Sequence, residues 1–403
     1  MPIQSSQLSG RPTSGSVTSA GWLSSARGAH AATLLPSGKV LLTGGTSGGT
    51  TVLNSSDLFY PHPPHQDDRF SLGNNMNIGR TGHSATRLPD GKILIAGGAS
   101  TSTTTLASAE LFDPTTGMYL PTGPMNTARM GHMAVLLNNG KVLIAGGFSL
   151  SPTNLLNTAE LFDPLAGTFT AIPGLMNGFR YNAAATLLQD GRVLITGGSL
   201  MPPAGLATAE IYDPGTNTFT ATGTMNTVRQ GHMASLLPDG GVLVSGGRDG
   251  GLNPRQSAEI YDPVAGTFGP LLTMVSTHWN HTSTLLPNGK VLIAGGQGSS
   301  QAELFDPAHG TFSATGAMHV ARGQFTATLL QNGSVIVVGG NPATTSVEIY
   351  DPAHGTFSPT GTLITARYTH SAVLLADGIL LICGGAQGSS VYLMSTEIYK
   401  PGR

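Results

Sequence analysis

The chain is poor in charge. Asp, Glu, Lys and Arg make up 10% of its 403 residues and the net charge is −2, against about a quarter charged in an ordinary soluble domain. With no basic excess to neutralise phosphates, nucleic acid is not expected as a partner. The one cysteine, Cys383, sits inside the apolar run LLICGG; it cannot form an internal disulfide, so the sequence carries no mark of an oxidising compartment. No apolar run approaches the roughly 18 residues of a membrane span, and no membrane association is expected. MPIQSSQLSGRP has neither the basic start nor the apolar centre of a secretory signal, so the chain as given reads as cytoplasmic. A helical period of 3.6 is also missing throughout, which leaves an all-β body.

What the sequence has in plenty is glycine, 56 residues of it, and much of it is regularly placed. Pairs close eight segments, at Gly44-Gly45, Gly97-Gly98, Gly146-Gly147, Gly197-Gly198, Gly246-Gly247, Gly295-Gly296, Gly339-Gly340 and Gly384-Gly385, spaced 44 to 53 residues apart. Such a period is the length of one four-stranded propeller blade. In RMGHMAVLLNNGKVLIAGG, residues 129–147, HMAVLL alternates, as a strand packed on both faces does. After an Asn-Gly turn, KVLIAGG is a continuous apolar run, as in a buried second strand. AELFD and GTFTA, joined by an Asp-Pro-x-x-Gly turn, supply strands three and four. The double glycines, the Glu-x-(Phe/Tyr)-Asp-Pro segment, the Gly-Thr-Phe element and the Arg opening most units resemble the kelch family over nearly the whole chain. That resemblance implies an eight-bladed kelch-type β-propeller forming one domain over residues 1–403, with blades opening near residues 27, 80, 129, 180, 229, 278, 322 and 367.

Residues 15–27, GSVTSAGWLSSAR, match the fourth-strand segment GTFSATGAMHVAR of residues 310–322, whereas the C-terminal STEIYKPGR ends on a third strand. Residues 15–24 are therefore expected to complete the last blade and close the ring, removing two exposed sheet edges; kelch and galactose-oxidase-like propellers are similar in this. In unit one, YPHPPHQDDRF replaces a short turn and gathers His62, His65, Asp67 and Asp68. Their spacing matches no ligand signature, so a proline-stiffened loop is the reading and no metal or cofactor is expected.

In an up-and-down blade the second-to-third loop and the blade-to-blade connection share one mouth. The loop is short in units six (QGSSQ) and seven (NPATTS), so the rim is expected to be low there. The opening Arg recurs as Arg27, Arg80, Arg129, Arg180, Arg229, Arg322 and Arg367, with His278 in unit six, and an acid opens each third strand at Asp57, Glu110, Glu160, Glu210, Glu259, Glu303, Glu348 and Glu397. The matching numbers predict a structural Arg–carboxylate ring, with an anion site for one or two arginines as the alternative. His30, His83, His132, His232, His281 and His370 follow three residues later, with Ala183 and Phe325 at the other two places; a repeated histidine is expected to satisfy a repeated backbone partner. The similar galactose oxidases bind copper through an adjacent Tyr-His and a Tyr cross-linked to Cys. Here no Tyr precedes any of these histidines and Cys383 lies in a buried run, so a copper oxidase is the remote reading.

Most units carry a small or plain residue after the Arg, and four depart furthest: Arg180-Tyr181-Asn182-Ala183, His278-Trp279-Asn280-His281, Arg322-Gly323-Gln324-Phe325 and Arg367-Tyr368-Thr369-His370. Aromatic faces and amides at one mouth suit a small-molecule pocket. The candidate acid–base groups are His278, His281, Tyr181 and Tyr368. The candidate ligand contacts are Trp279, Asn280, Asn182, Gln324, Phe325, Arg322, Arg367 and Met130. The expected function is small-molecule binding near blades four and six to eight, with lyase, isomerase or cyclase chemistry if the site is catalytic. A protein-binding scaffold using the same mouth is the alternative.

Overall fold

The computed structural model describes residues 15–48, 50–61, 70–150, 153–199, 205–389 and 391–402. His62, His65, Asp67 and Asp68 fall outside them. No helix forms among the described residues, and eight antiparallel sheets make a ring of eight blades.

Blade 3 shows how the sequence makes each sheet. Met133–Leu136 pairs with Val142–Ala145, which pairs with Ala159–Asp163, which pairs with Thr168–Ala171. Gly140, at φ +81°, closes the first hairpin, and the Asp163 carboxylate accepts the Leu165 N–H at 2.9 Å to set the last turn. Val142–Ala145 is buried at every position, as its unbroken apolar run requires when both faces are covered. Where the chain leaves that strand there is no room for side chains: a Cβ on Gly146 would stand 2.6 Å from the Arg180 carbonyl oxygen of the next blade, and one on Gly147 2.5 Å from that of Met130 in its own. Both have positive φ, a region glycine enters without penalty.

Apolar side chains fill the spaces between neighbouring blades. Leu143, Ala145, Ile195 and Tyr212, for example, join blades 3 and 4, with Met133 and Val135 packed against them. The innermost strands of all eight blades touch in sequence, and Ala31–Leu34 of blade 1 meets Ser371–Leu374 of blade 8. Ser16–Trp22 pairs antiparallel with Ser395–Lys400, Val17 opposite Tyr399, so the N-terminal strand completes the last blade as the repeat predicts.

Two connections depart from the plain pattern. Thr356–Arg367 runs unbroken from blade 7 into blade 8. The link from blade 5 into blade 6 ends as the strand Leu272–His278, which pairs with Arg255–Asp262 so that Arg255 stands opposite His278. The second-to-third loop of blade 5 is thereby drawn against the start of blade 6.

Candidate functional site

Seven arginines are bolted into the ends of their own blades. Arg129 donates from Nη1 to the Gly146 and Thr158 carbonyls, both at 2.9 Å, and from Nη2 to Thr158 Oγ1 at 3.0 Å and Glu160 Oε1 at 3.1 Å. Glu160 also accepts the backbone N–H groups of Asn126 and Thr127, at 2.7 and 3.0 Å, from the incoming link. One buried pair therefore fastens a strand end, a strand start and a connection. The carbonyl and carboxylate bonds recur in every other Arg blade, and the hydroxyl bond in all but blade 4, where Arg180 turns both Nε and Nη2 to Glu210 and Thr208 Oγ1 has no partner among the described residues; all seven guanidinium side chains are fully buried. Arg322 and Arg367, expected among the ligand contacts, are committed to Glu348 and Glu397 below the surface.

His278 takes the guanidinium's place in blade 6. Its Nδ1–H donates to the Gly295 carbonyl at 2.6 Å, and Nε2 stands 2.8 Å from both Glu303 Oε1 and Ser276 Oγ. Its exposure is 0%. The expectation of His278 as an acid–base group at the mouth is therefore corrected: the imidazole satisfies a buried carboxylate, as its position in the repeat demands. His281 is buried too, with Nε2 3.2 Å from Ser245 Oγ. Burial first, then the neighbouring His278, His232 and Arg229, hold its pKa well below the ordinary histidine value. It stays neutral, out of reach of a substrate at the mouth.

Each of the six histidines at this position meets a hydroxyl of the preceding blade: Ser371, Thr43, Ser84, Thr196, Ser245 and Thr326 in ring order from His30. The partner at Nε2 is thus a side-chain hydroxyl. Phe325, in blade 7, replaces the histidine altogether; it is 7% exposed and packs with Leu292, Met318 and Val337. It belongs to the core between blades 6 and 7 and floors no pocket.

The residue two places after each opener has positive φ in all eight blades: Ala29, Gly82, Gly131, Asn182, Gly231, Asn280, Gln324 and Thr369 lie between +48° and +62°. Glycine and asparagine are the residues that tolerate this region, which accounts for Asn182 and Asn280 without a ligand. Thr369 at φ +48° is the outlier, since a β-branched residue is strained there. Asn182, Gln324 and Thr369 are exposed, and Asn280 is half-buried.

The residue one place after the opener shingles onto the preceding blade. A Cβ on Gly82 would lie 3.0 Å from Met130 Cε, one on Gly131 3.1 Å from Tyr181 Cε2, and one on Gly231 2.8 Å from Trp279 Nε1. Tyr181 also meets Phe148 edge-on, with ring centroids 5.2 Å apart. Tyr368 is half-buried and its backbone bridges to Ala386. Met130, Tyr181 and Trp279 thus share a packing role, and Trp279 also borders a groove.

The groove, of about 360 Å³, lies between blades 5 and 6 and is lined by Pro254, Ser276, Thr277, Trp279 and the turn 297–301. The Arg248 guanidinium stacks on the Trp279 ring, 4.1 Å from its centroid. Two changes coincide at the groove. Histidine replaces the opening arginine, and Gln301 stands where the other blades have Ser55, Ser108, Thr158, Thr208, Ser257, Ser346 and Ser395, the hydroxyl residue two places before the acid. The shorter imidazole does not reach the carbonyl of that residue as the seven arginines do, nor its side chain as six of them do. Pro254, Ser276, Thr277, Arg248 and Gln301 were not among the residues singled out from the sequence. The departure of Gln301 from Ser/Thr was the signal that could have found the place.

No protein-family model matches the chain, and no curated protein matches it. Among solved structures it is similar to a fungal alcohol oxidase of the AA5 family, solved in complex with copper, at 17% identity and a TM-score of 0.59, covering 97% of this chain and 76% of that one. The described residues do not fit copper. Among the described residues no three His, Cys, Asp or Glu side chains are grouped to hold a metal, the mouth histidines are spent between blades, and the Cys383 thiol is sealed in blade 8, its pKa pushed up by burial. By fold the chain is an eight-bladed β-propeller similar to that solved structure, and at this identity the likeness extends to the fold alone.

Proposed function

We propose that this propeller binds a small polar molecule in the groove between blades 5 and 6, with Trp279 as its apolar face and the hydroxyls and amides of Ser276, Thr277 and residues 297–301 as its polar contacts. One observation carries the reading: the groove opens in the one blade where both the opening arginine and its hydroxyl partner are replaced. A pocket with one flat apolar wall and several oriented polar groups is how small molecules are held. Binding is favoured over acid–base catalysis because His278 and His281, the two candidate general acids or bases nearest the groove, are buried and committed.

The two tryptophans make the test direct. Trp22 is 68% exposed on the closing strand, so Trp22→Phe leaves Trp279 as the sole indole reporter. Small polar metabolites that enter the groove should change its emission, and Trp279→Ala should abolish their binding in calorimetry while the melting temperature falls little. Met130→Ala, the same position in blade 3, should leave binding intact. A protein partner at this mouth whose binding survives Trp279→Ala, with no small molecule altering the emission, would replace this reading by the scaffold one.

A further inference from the structure

We infer that Arg248 is an anion-recognising residue of this groove and that the ligand is a small hydroxylated carboxylate. The inference rests on the groove reading above and adds the ligand's charge. Of the arginines at this mouth, the seven openers are neutralised by their own acids and Arg255 faces Asp249 at 3.6 Å. The Arg248 guanidinium has neither a carboxylate nor a hydrogen-bond partner among the described residues, and its Nε is sealed without one. The adjacent acid is not available to it: the Asp249 carboxylate accepts the N–H groups of Gly251 and Asn253 at 2.8 and 2.9 Å.

What holds the guanidinium is the Trp279 ring. A guanidinium held over an aromatic face keeps its N–H donors in its own plane and does not spend them on the ring, an arrangement suited to a planar carboxylate. Arg248 is also paired through its backbone with Pro254 on one side and Gln230 on the other, so it is fixed beside a groove wall. The lining offers no acid to repel an anion. Its serines, threonine and glutamines offer donors and acceptors for hydroxyl groups. The substitutions of blade 6 add to this, since the fork that would otherwise engage residue 301 is missing and that end of the groove is left to the ligand.

D-gluconate and sorbitol make the test, because they share a hydroxylated six-carbon chain and differ at one end, carboxylate against alcohol. Titrated into the Trp22→Phe protein, gluconate should bind at least about tenfold more tightly than sorbitol, the scale of one charge-assisted contact. Arg248→Gln, which keeps the backbone pairing, should bring the two within about twofold, and Arg248→Lys should retain part of the preference. Equal binding of the two ligands by the parent, a preference that survives Arg248→Gln, or no response to gluconate while other compounds of the panel respond, overturns the anion inference and leaves the groove reading standing. Silence of the Trp279 signal to the whole panel overturns both.

Discussion

Blades 3 and 6 have the same four strands and the same buried second strand, yet one is scaffold at its mouth and the other is a groove. In blade 3 the Arg129 fork fills the sheet end and fastens Thr158, Gly146 and Glu160. In blade 6 the His278 ring reaches the glycine carbonyl and the acid but does not fork to Gln301. The carboxylate is satisfied in both, so the exchange keeps the blade closed while taking side-chain volume away from the mouth. A repeat protein can gain a site in this way: seven copies of an interaction carry the ring, and the eighth is modified where open space is useful.

The largest effect is expected from a feature the two blades share. Burial, with help from neighbouring charges, lowers the pKa values of His30, His83, His132, His232 and His370 to about 3, against about 6.5 in an unfolded chain. The unfolded state therefore takes up protons that the native state refuses. Stability is complete above pH ~6.5 and falls as pH drops below it. At pH 5.5 each such histidine removes about 1.4 kcal/mol, so five together remove roughly 7 kcal/mol. Denaturant midpoints measured from pH 8 down to 5.5 should fall steeply, and His132→Phe, the exchange blade 7 makes with Phe325, should reduce the slope by about one proton. Midpoints that stay level would mean the imidazoles are not held neutral.

Removing the openers comes next and sharpens the contrast. Arg129→Ala leaves Glu160 buried without its guanidinium and should destabilise by about 3–5 kcal/mol. His278→Ala abandons fewer hydrogen bonds, and its cost should be about 1–3 kcal/mol. Differential scanning calorimetry and denaturant titration would rank them. A His278→Ala protein as stable as its parent would return the imidazole to the functional role read from the sequence.

The sequence made the ring legible because periodicity reports what every blade needs: eight glycine pairs, eight acids, and a stray fourth strand at residues 15–24 to close the last sheet. It also paired the arginines with the acids by number alone. Depth was hidden. Strand order places Arg322, Arg367 and His278 at the mouth end of their blades, but not how far a long side chain folds back into the sheet, so buried bolts were read as rim groups. Phe325 was misplaced for the same reason. Gly82, Gly131 and Gly231, with Asn182 and Asn280 in the same column, spelled a position of positive φ that was legible and was read as ligand chemistry. The Arg248–Trp279 stack was beyond reach, because it joins two blades through repeat positions whose side chains vary from unit to unit.

The smallest effect tests that misread column. Asn280 at φ +52° and Gly131 at φ +58° occupy the same turn in blades 6 and 3, and both residue types accept a left-handed backbone. Asn280→Gly loses a modest side chain and adds flexibility to the unfolded chain, opposing a relief of backbone strain, so stability should change by no more than about 0.5 kcal/mol. Gly131→Asn places a Cβ 3.1 Å from the Tyr181 ring edge, a contact a surface aromatic can yield to, and its effect should be of similar size. If Asn280 only makes the turn, the Trp279 emission change on ligand addition will be the same in Asn280→Gly as in the parent. Loss of that response with the melting temperature unchanged would make Asn280 a ligand contact as well, and would extend the groove of blade 6 from the indole toward the axis of the ring.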